Sequence, residues 1–262
     1  MAHNIYENFI IENKVKDFLD TKLNHTPFYT LDTSLTENAG MTKKVHRYNA
    51  IGAVRDVAMG EGNKEADDVN VNFSEEEYTV KFCQGRFPYF DEQAMTDPML
   101  IDVGLQKNSA MMANDLTTKF YAELEKASQA MEYSAAGINF DVVVDATALF
   151  GENEDGLFLL INPAQKAQLR RNLKDELKYV EDFVRTGYIG SLNGIPIYVS
   201  KAVPADTAFL ANKEAVTVYV KKNIEVEQVR DANIRKNDIY TRRCNVVALT
   251  DDSKVVKLTK TV

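Results

Sequence analysis

The sequence predicts an α+β protein in which an α/β segment is inserted between two parts of a domain built on one long helix and a sheet. Three observations predict this class. A helical repeat of apolar residues follows Pro98, strand-like alternation precedes that helix and returns after residue 220, and short helices alternate with buried strands over residues 135–220.

The composition is that of an ordinary globular protein. The 262 residues are 45% hydrophobic and 27% charged, and 31 Lys plus Arg stand against 39 Asp plus Glu, for a net charge of -8. This negative charge argues against a nucleic-acid binder that depends on neutralising phosphates, and it would repel an anionic membrane surface. No apolar run reaches the ~20 residues of a membrane helix and no signal peptide is evident, so we expect an intracellular product without a membrane partner.

Residues 1–32 are predicted to form an arm rather than a domain. Apolar residues recur at helical spacing from Ile5 to Leu19, and the stretch from Asn24 to Pro27 breaks the helix. A helix this short cannot bury its own apolar face, so the arm must lie against another surface. A frayed terminus over residues 1–8 is the alternative.

Residues 33–75 are predicted to form a long projecting hairpin. Strand-like alternation over 44–54 and over 69–73 flanks turn residues at 60–63. Two strands with so few core-forming residues do not fold stably alone, so we expect another copy of the chain to cover them. Deletion of residues 41–65 is accordingly expected to leave a folded subunit that has lost its contact with its neighbours.

Residues 76–134 are predicted to hold a strand and then the longest helix. Alternation places Tyr78, Val80 and Phe82 on one side of a strand that ends near Gly85. The helix is predicted to begin after the capping pair 97–98 and to continue to residue 133, with a bend at 104; it would be roughly 50 Å long at ~1.5 Å per residue.

Residues 135–220 are predicted to form a compact α/β lobe. A helix over 141–150 precedes a buried strand at Leu157–Ile161, and Asn162-Pro163 caps the helix that follows. Asn193-Gly194 between apolar strands is typical of a two-residue hairpin turn, because both turn residues must tolerate positive φ.

Residues 221–262 are predicted to return to the first sheet. Alternation over 224–229 and around Tyr240 indicates strands, and residues 246–249 and 255–258 flank a short turn, which predicts a hairpin paired with the strand at 78–83. Cys83 and Cys244 would then lie in neighbouring strands as buried thiols. Two cysteines are too few for a disulfide scaffold and favour a reducing compartment.

No catalytic, metal-binding or cofactor-binding site is predicted. His3, His25 and His46 fall in the arm or the hairpin, and the sequence holds no metal-ligand spacing, phosphate-binding glycine loop or nucleophile motif. An α/β enzyme with a site in residues 135–220 is the alternative from another class of protein. It predicts a monomer or dimer with a deep pocket in that lobe.

The order of these parts resembles that of the Hong Kong 97-type major capsid proteins of tailed bacteriophages. The resemblance is most specific in three segments, which read LFLLINP at 157–163, GYIGSLNGIPIYVS at 187–200 and VVALTDDSKVVKL at 246–258. It implies an N-terminal arm, an extended loop over 33–75, a peripheral domain with a spine helix over 76–134 and 221–262, and an inserted axial domain over 135–220.

The resemblance also implies a structural function with no cofactor. Copies would assemble into hexamers and pentamers that form an icosahedral shell around double-stranded DNA, in a virion assembled in the host bacterial cytoplasm. A separate scaffolding protein and the portal would be partners, and contact with packaged DNA would be loose and non-specific. An encapsulin-like cellular shell is the alternative within the same fold.

Contacts between subunits are predicted in the arm and the extended loop, because neither segment has a core of its own. Head-to-tail contacts of this kind generate rings when the rotation closes. The residues expected to make them are Ile5, Tyr6, Phe9, Lys43, Lys44, Arg47, Arg55, Glu61, Lys64 and Glu65. Some relatives join neighbours through a Lys–Asn isopeptide bond, but no matching Asn or Glu can be placed in this sequence. We therefore expect a shell held by non-covalent contacts.

Overall fold

The structure is a computed structural model of the chain. It describes residues 14–15, 28–52, 54, 56–62, 68–134, 136–151, 154–173 and 190–261. The strands within these residues are β1 (Thr30–Asp32), β2 (Thr42–Ile51), β3 (Asn70–Thr79), β4 (Lys81–Phe90), β5 (Ala130–Tyr133), β6 (Leu157–Ile161), β7 (Ser191–Leu192), β8 (Ile195–Val199), β9 (Thr207–Asn212), β10 (Val216–Asp231), β11 (Lys236–Leu249) and β12 (Val255–Lys260). The α-helices are α1 (Asp91–Thr96), α2 (Met99–Leu124), α3 (Phe140–Ala148) and α4 (Pro163–Asn172).

The strands form three sheets. A four-stranded sheet has the order β1-β10-β11-β4, and a six-stranded sheet has the order β5-β12-β9-β6-β8-β7. The third sheet is a two-stranded antiparallel ribbon of β2 and β3. Long helix, antiparallel strands and a mixed sheet together give the α+β class that the sequence predicts.

Helix α2 covers one face of the four-stranded sheet. Its Leu105 packs with Val226 of β10 and Ile239 of β11, and all three side chains are buried. Gly104 brings the helix close to the sheet, because a β-carbon at this position would overlap the ring of Phe87 on β4. The glycine therefore serves a close approach of helix and strand.

The six-stranded sheet surrounds β6, whose five side chains are all buried, as expected of a strand covered on both faces. Helix α4 begins at a capping box: the Asn162 side chain accepts a hydrogen bond from the Ala164 N–H, and the Gln165 side chain accepts one from the Asn162 N–H. Between β7 and β8, Asn193 and Gly194 have φ of 50° and 76°. The predicted strand, helix start and hairpin turn are confirmed.

The long helix is shorter than predicted. It ends at Leu124, which gives 26 residues and a length of about 39 Å, and residues 130–133 form β5 instead of its last turns. The Ser128 N–H donates to the Asp252 side chain, and β5 then pairs in parallel with β12. Tyr133 is buried, and its hydroxyl accepts a hydrogen bond from Gln165 Nε2. Contacts between residues distant in sequence therefore determine the secondary structure of residues 130–133, whose local pattern is ambiguous.

The predicted C-terminal hairpin is also wrong. Residues 246–249 belong to β11 in the four-stranded sheet, whereas β12 lies in the six-stranded sheet, antiparallel to β9 and parallel to β5. A short 3-10 helix at Asp252–Lys254 separates them, and the Asp251 side chain accepts from the Ser253 N–H at its start. Val255, Val256 and Leu258 are buried, and such an apolar run fits a strand between two others better than a half-exposed hairpin.

The strand expected to end near Gly85 is in fact two strands. β3 ends at Thr79 and β4 continues to Phe90, with Val80 between them. Tyr78 and Val80 are buried as predicted, but Phe82 is 58% exposed. The alternation changes at Val80 because the chain leaves the ribbon there and pairs with β11, so the residues facing inward shift from even to odd numbers.

Strand β10 crosses one of the predicted domain limits. It runs without interruption from Val216 to Asp231, so the limit at residue 220 falls inside one strand; the limits themselves stay predictions. Cys83 and Cys244 do lie on neighbouring strands, but Cys83 stands opposite Arg243, so the two thiols point to opposite faces of the sheet. Both are free, and burial raises the pKa of each.

Candidate inter-subunit surface

The β2–β3 ribbon has two parts with different surroundings. Its register runs from Thr42 opposite Thr79 to Ile51 opposite Asn70. We call residues 42–47 and 74–79 the proximal half, and residues 48–73 the distal half. Side chains alternate between the two faces of the ribbon, so Val45, Arg47 and Tyr78 share one face.

The proximal half is packed against the body of its own subunit. Val45 and Tyr78 are buried in one cluster with Leu35, Tyr219 and Ala248. This cluster joins the ribbon to the four-stranded sheet, because Tyr219 belongs to β10 and Ala248 to β11. Apolar burial therefore keeps the base of the ribbon on the subunit.

Arg47 adds a polar connection at the edge of this cluster. Its Nη2 donates to Glu76 Oε2 at 2.7 Å, to the Tyr78 hydroxyl at 3.2 Å and to the carbonyl of Leu249 at 2.9 Å. The first two acceptors lie on β3 and the third is the last residue of β11. One guanidinium thus binds both the partner strand and the main sheet.

Lys126, just beyond helix α2, reaches the same place. Its Nζ lies 2.7 Å from Glu123 Oε1, 3.8 Å from Glu76 Oε1 and 5.4 Å from the centre of the Tyr78 ring. Burial, followed by the hydrogen bond with Glu76, raises the pKa of Tyr78. Tyr78 therefore stays a neutral phenol between two cations and two carboxylates.

The distal half exposes apolar side chains on the other face of the ribbon. Tyr48 is 71% exposed and Phe73 is 65% exposed. Their ring centres are 6.5 Å apart, and the His46 ring lies 6.4 Å from Tyr48 and 6.0 Å from Phe73. We call His46, Tyr48 and Phe73 the aromatic patch. Within the described residues its two large rings have more than half of their surface open to solvent.

Four of the ten predicted contact residues lie within the described residues. Lys43 places its Nζ 4.8 Å from the centre of its own Tyr219 ring, Lys44 lies 2.5 Å from Glu75 Oε1, and Arg47 binds its own subunit as described above. Glu61 is exposed near the tip of the ribbon. The remaining six, Ile5, Tyr6, Phe9, Arg55, Lys64 and Glu65, lie outside the described residues.

The arm is described at Lys14 and Val15, and both contact their own subunit. Lys14 Nζ lies 2.8 Å from Asp102 Oδ1 of α2, and Val15 is fully buried with Leu105 and Tyr89. The arm therefore lies on the long helix and its sheet at this point. The contacts proposed for Ile5, Tyr6 and Phe9 stay predictions.

The sequence reasoning missed Tyr48 and Phe73, which are the most exposed aromatic side chains among the described residues of the ribbon. A signal was present: both are aromatic residues in strands where polar and charged side chains predominate. Attention to charge at this hairpin selected Lys43, Lys44 and Arg47 instead. Large rings contribute more to a subunit contact than exposed charges do.

The described residues hold no group of three or more His, Cys, Asp or Glu side chains arranged for a metal ion. An apolar cavity of about 250 Å³ lies between α2 and the six-stranded sheet, and its lining includes the rings of Phe28, Phe120 and Tyr198. None of the helices in the described part of the chain is long and apolar enough to span a membrane.

Comparison with known proteins gives a consistent result. Residues 74–258 match the family of phage capsid proteins. The major capsid protein of Staphylococcus phage phiMR11 is 26% identical over 257 residues, covering 92% of this chain and 89% of that protein.

Solved structures show the same fold. The mature capsid of bacteriophage PhiM1 gives a TM-score of 0.67 at 12% identity, covering 89% of this chain and 85% of that chain. The SrpI encapsulin of Synechococcus elongatus gives a TM-score of 0.62 at 12% identity, covering 88% of this chain and 84% of that chain. The predicted Hong Kong 97-type fold is confirmed.

The chain belongs to the phage capsid protein family, since the match extends over more than half of its length. Its function is that of a phage major capsid protein: copies associate with one another into a shell, and their place is the virion capsid. Membership of this family implies a structural rather than an enzymatic role. The encapsulin shares the fold, but the family and the curated relative both favour the phage capsid over the cellular shell.

Proposed function

We propose that copies of this chain form hexamers and pentamers that close an icosahedral head around double-stranded DNA, and that the distal half of the ribbon lies across a neighbouring subunit. The observation that supports this proposal is the aromatic patch, whose Tyr48 and Phe73 are exposed in the single subunit. A two-stranded ribbon is at best marginally stable in water without a covered face. A neighbouring copy supplies that cover.

The geometry of such a contact favours rings. A ribbon that projects from one subunit onto a different surface of the next makes a head-to-tail contact, and contacts of this type generate rings when the rotation closes. Permanent assemblies of this kind bury ~2,000 Å² or more per interface. Burial of two aromatic side chains near the centre of the contact gives the strong, localised binding that such interfaces use.

Further partners follow from the same function. We propose a separate scaffolding protein and the portal as assembly partners, with assembly in the bacterial cytoplasm. The net charge of -8 supports a loose, non-specific relation to packaged DNA, because a strongly basic lining would hold the DNA through its phosphates. The arm residues Ile5, Tyr6 and Phe9 and the loop charges Arg55, Lys64 and Glu65 are proposed as additional contacts.

The test uses a variant in which the distal half is removed and the proximal half is kept. Replacing residues 49–72 by Asn-Gly, together with Tyr48→Thr and Phe73→Thr, removes the distal half with its two exposed rings and leaves positions 48 and 73 opposite each other across a two-residue turn; we call this the 49–72 variant. Deletion of residues 41–65, expected from sequence to leave the subunit folded, is a poor test because it removes the buried Val45 and also Arg47.

We expect the full chain to form closed shells with five-fold and six-fold clusters, visible by electron microscopy and sedimentation. The 49–72 variant should stay folded by circular dichroism but fail to form shells. Gly62→Ala, in open space near the tip, is the matched control and should assemble as the full chain does. A 49–72 variant that forms normal shells would contradict the proposal.

The encapsulin-like shell, the alternative expected from sequence, shares the fold but is not favoured by the family match. The two candidates differ in content. Particles of a phage head hold nuclease-protected DNA of defined length, whereas an encapsulin-like shell holds a protein cargo. Analysis of nucleic acid and protein in purified particles decides between them.

A further inference from the structure

We infer that Arg47 is a positioning residue for capsid assembly: it fixes the direction in which the distal half of the ribbon leaves its subunit. The inference rests on the proposed function, in which the distal half contacts a neighbour. Arg47 was expected from sequence to touch that neighbour directly. Its three hydrogen bonds lie within its own subunit instead.

Arg47 stands at the point where the ribbon leaves the body. Two residues before it, Val45 is buried, and one residue after it Tyr48 is 71% exposed. The four strand residues 48–51 alone extend about 13 Å at ~3.3 Å per residue. A tilt of about 15° at Arg47 would therefore move their end by about 3 Å, roughly the length of a hydrogen bond.

Apolar burial and hydrogen bonding have different effects at this point. Burial of Val45 and Tyr78 holds the ribbon on the subunit, but hydrophobic contact has no preferred direction. The guanidinium of Arg47 is planar and its hydrogen bonds to Glu76 and Leu249 require a narrow range of angles. The direction of the ribbon therefore depends on the polar contacts more than on the apolar ones.

A second element strengthens this connection. Glu76 accepts from Arg47 on one oxygen and lies 3.8 Å from Lys126 through the other. Lys126 follows helix α2, so the same carboxylate faces cations from the ribbon and from the long helix. Arg47 therefore connects the ribbon to β11 through the Leu249 carbonyl, and Glu76 connects it to the end of helix α2 through Lys126.

The test compares changes at Arg47 with a change that weakens the same region without altering the hydrogen bonds. Arg47→Lys keeps the positive charge but replaces the planar Nη2 amino group, which donates all three hydrogen bonds, by a freely rotating ammonium, and Arg47→Gln removes the charge. Val45→Ala removes buried apolar surface and leaves Arg47 in place. Lys107→Gln, at an exposed position on helix α2, is the control for charge.

Each variant is measured for thermal unfolding as a dispersed subunit and for its assembly products by electron microscopy. We expect both Arg47 variants to remain folded and to form about tenfold fewer closed shells, with irregular particles or open sheets in their place, because a misdirected contact is repeated at every subunit of a ring. Val45→Ala should lower the unfolding temperature and the yield, but its products should be closed shells of normal shape. Lys107→Gln should assemble normally.

Three outcomes separate the inference from the function on which it rests. Normal closed shells from both Arg47 variants, together with failure of the 49–72 variant, would overturn the positioning role and leave the proposed function intact. Irregular products from Val45→Ala like those of Arg47→Gln would also overturn it, since lost stability would then explain the defect. Normal shells from the 49–72 variant would remove the proposed function itself.

Discussion

Two long antiparallel ribbons of this molecule have opposite relations to the rest of the chain. In the ribbon of β10 and β11, helix α2 and strand β4 cover one face and one edge, and Ile239 and Thr241 are completely buried. In the ribbon of β2 and β3, Val45 and Tyr78 of the proximal half are buried but Tyr48 and Phe73 of the distal half are exposed. The two ribbons share backbone pairing and differ in what covers their side chains.

The difference teaches that strand pairing alone does not say where a ribbon belongs. Strands β10 and β11 pair with each other and also with β1 and β4, whereas β2 and β3 pair with each other in a two-stranded sheet whose buried side chains lie in the proximal half. Apolar burial is the main favourable term in folding, so the β10–β11 ribbon stabilises the subunit. Tyr48 and Phe73 of the distal half have no comparable burial in the single subunit, and the proposed contact with another copy would supply it.

The largest expected effect on stability lies in the covered ribbon. Ile239→Ala removes a fully buried side chain that packs with Leu105 and Val226. We expect the free energy of unfolding to fall by about 2–5 kcal/mol, from lost burial and the cavity left behind. Urea unfolding of the dispersed subunit measures this. A loss below 1 kcal/mol would mean that the β10–β11 face is not part of the core.

A smaller effect is expected where helix and sheet approach closely. Gly104→Ala adds a methyl group that overlaps the Phe87 ring, and the forced movement should cost about 1–3 kcal/mol, partly offset by the better helix propensity of Ala. Gly62→Ala adds the same group in open space near the ribbon tip and should change stability by less than ~0.5 kcal/mol. Equal unfolding temperatures for the two variants would contradict the comparison.

Lowering the pH is expected to reduce the stability contributed by the ion pairs of the two ribbons by different amounts. Arg86 on β4 donates two hydrogen bonds to Asp238 on β11, at 3.1 and 2.9 Å, and lowers the pKa of Asp238. Lys44 likewise lowers the pKa of Glu75 in the β2–β3 ribbon. A carboxyl whose pKa is lower in the folded state stabilises the fold above its unfolded pKa of ~4, and this contribution disappears as the pH falls through the folded value.

Asp238→Asn should therefore make unfolding temperature less sensitive to pH between about 5 and 2. Glu75→Gln should have the smaller effect, because the Glu75 side chain is 35% exposed and that of Asp238 only 17%. Melting curves over a series of pH values provide the measurement. A larger change for Glu75→Gln would show that the exposed ribbon carries more of the stability of the subunit than its burial indicates.

The smallest change in subunit stability is expected at the aromatic patch. Phe73→Ala should alter the free energy of unfolding by less than ~0.5 kcal/mol, since the ring is 65% exposed. Its effect should appear in assembly, as a higher protein concentration needed for shell formation, followed by light scattering. Thr118→Ala, an exposed position on the long helix, serves as the matched surface control. Unchanged assembly of Phe73→Ala would place the neighbour contact elsewhere.

The elements predicted well from sequence are those with local causes. The capping box at Asn162, the turn at Asn193-Gly194 and the strands of the β2–β3 ribbon depend on residues close together in the chain, and the structure has all of them. The end of the long helix and the sheet of β12 were wrong, because Ala130–Tyr133 and Val255–Lys260 pair with each other across more than a hundred residues. No local pattern carries that information.

The candidate surface shows the same limit. Its place in the chain followed from the scarcity of core residues between 33 and 75, which is a local property. The hydrogen bonds of Arg47 within its own subunit did not, because its acceptor on Leu249 lies 202 residues away. An arginine in a projecting hairpin is read from sequence as a contact with a neighbour, and only the packing of Val45 on Ala248 places it at the base.

One residue, Val80, joins the projecting ribbon to the main sheet. It is buried, its N–H donates to the carbonyl of Met41, and β3 and β4 leave it in opposite directions along the chain without a loop between them. The ribbon is therefore held on its β3 side by the continuous backbone into β4 and on its β2 side by the hydrogen bond from Arg47 to Leu249. Under the proposed function, a load that a neighbouring copy places on the ribbon would pass along this backbone into the main sheet.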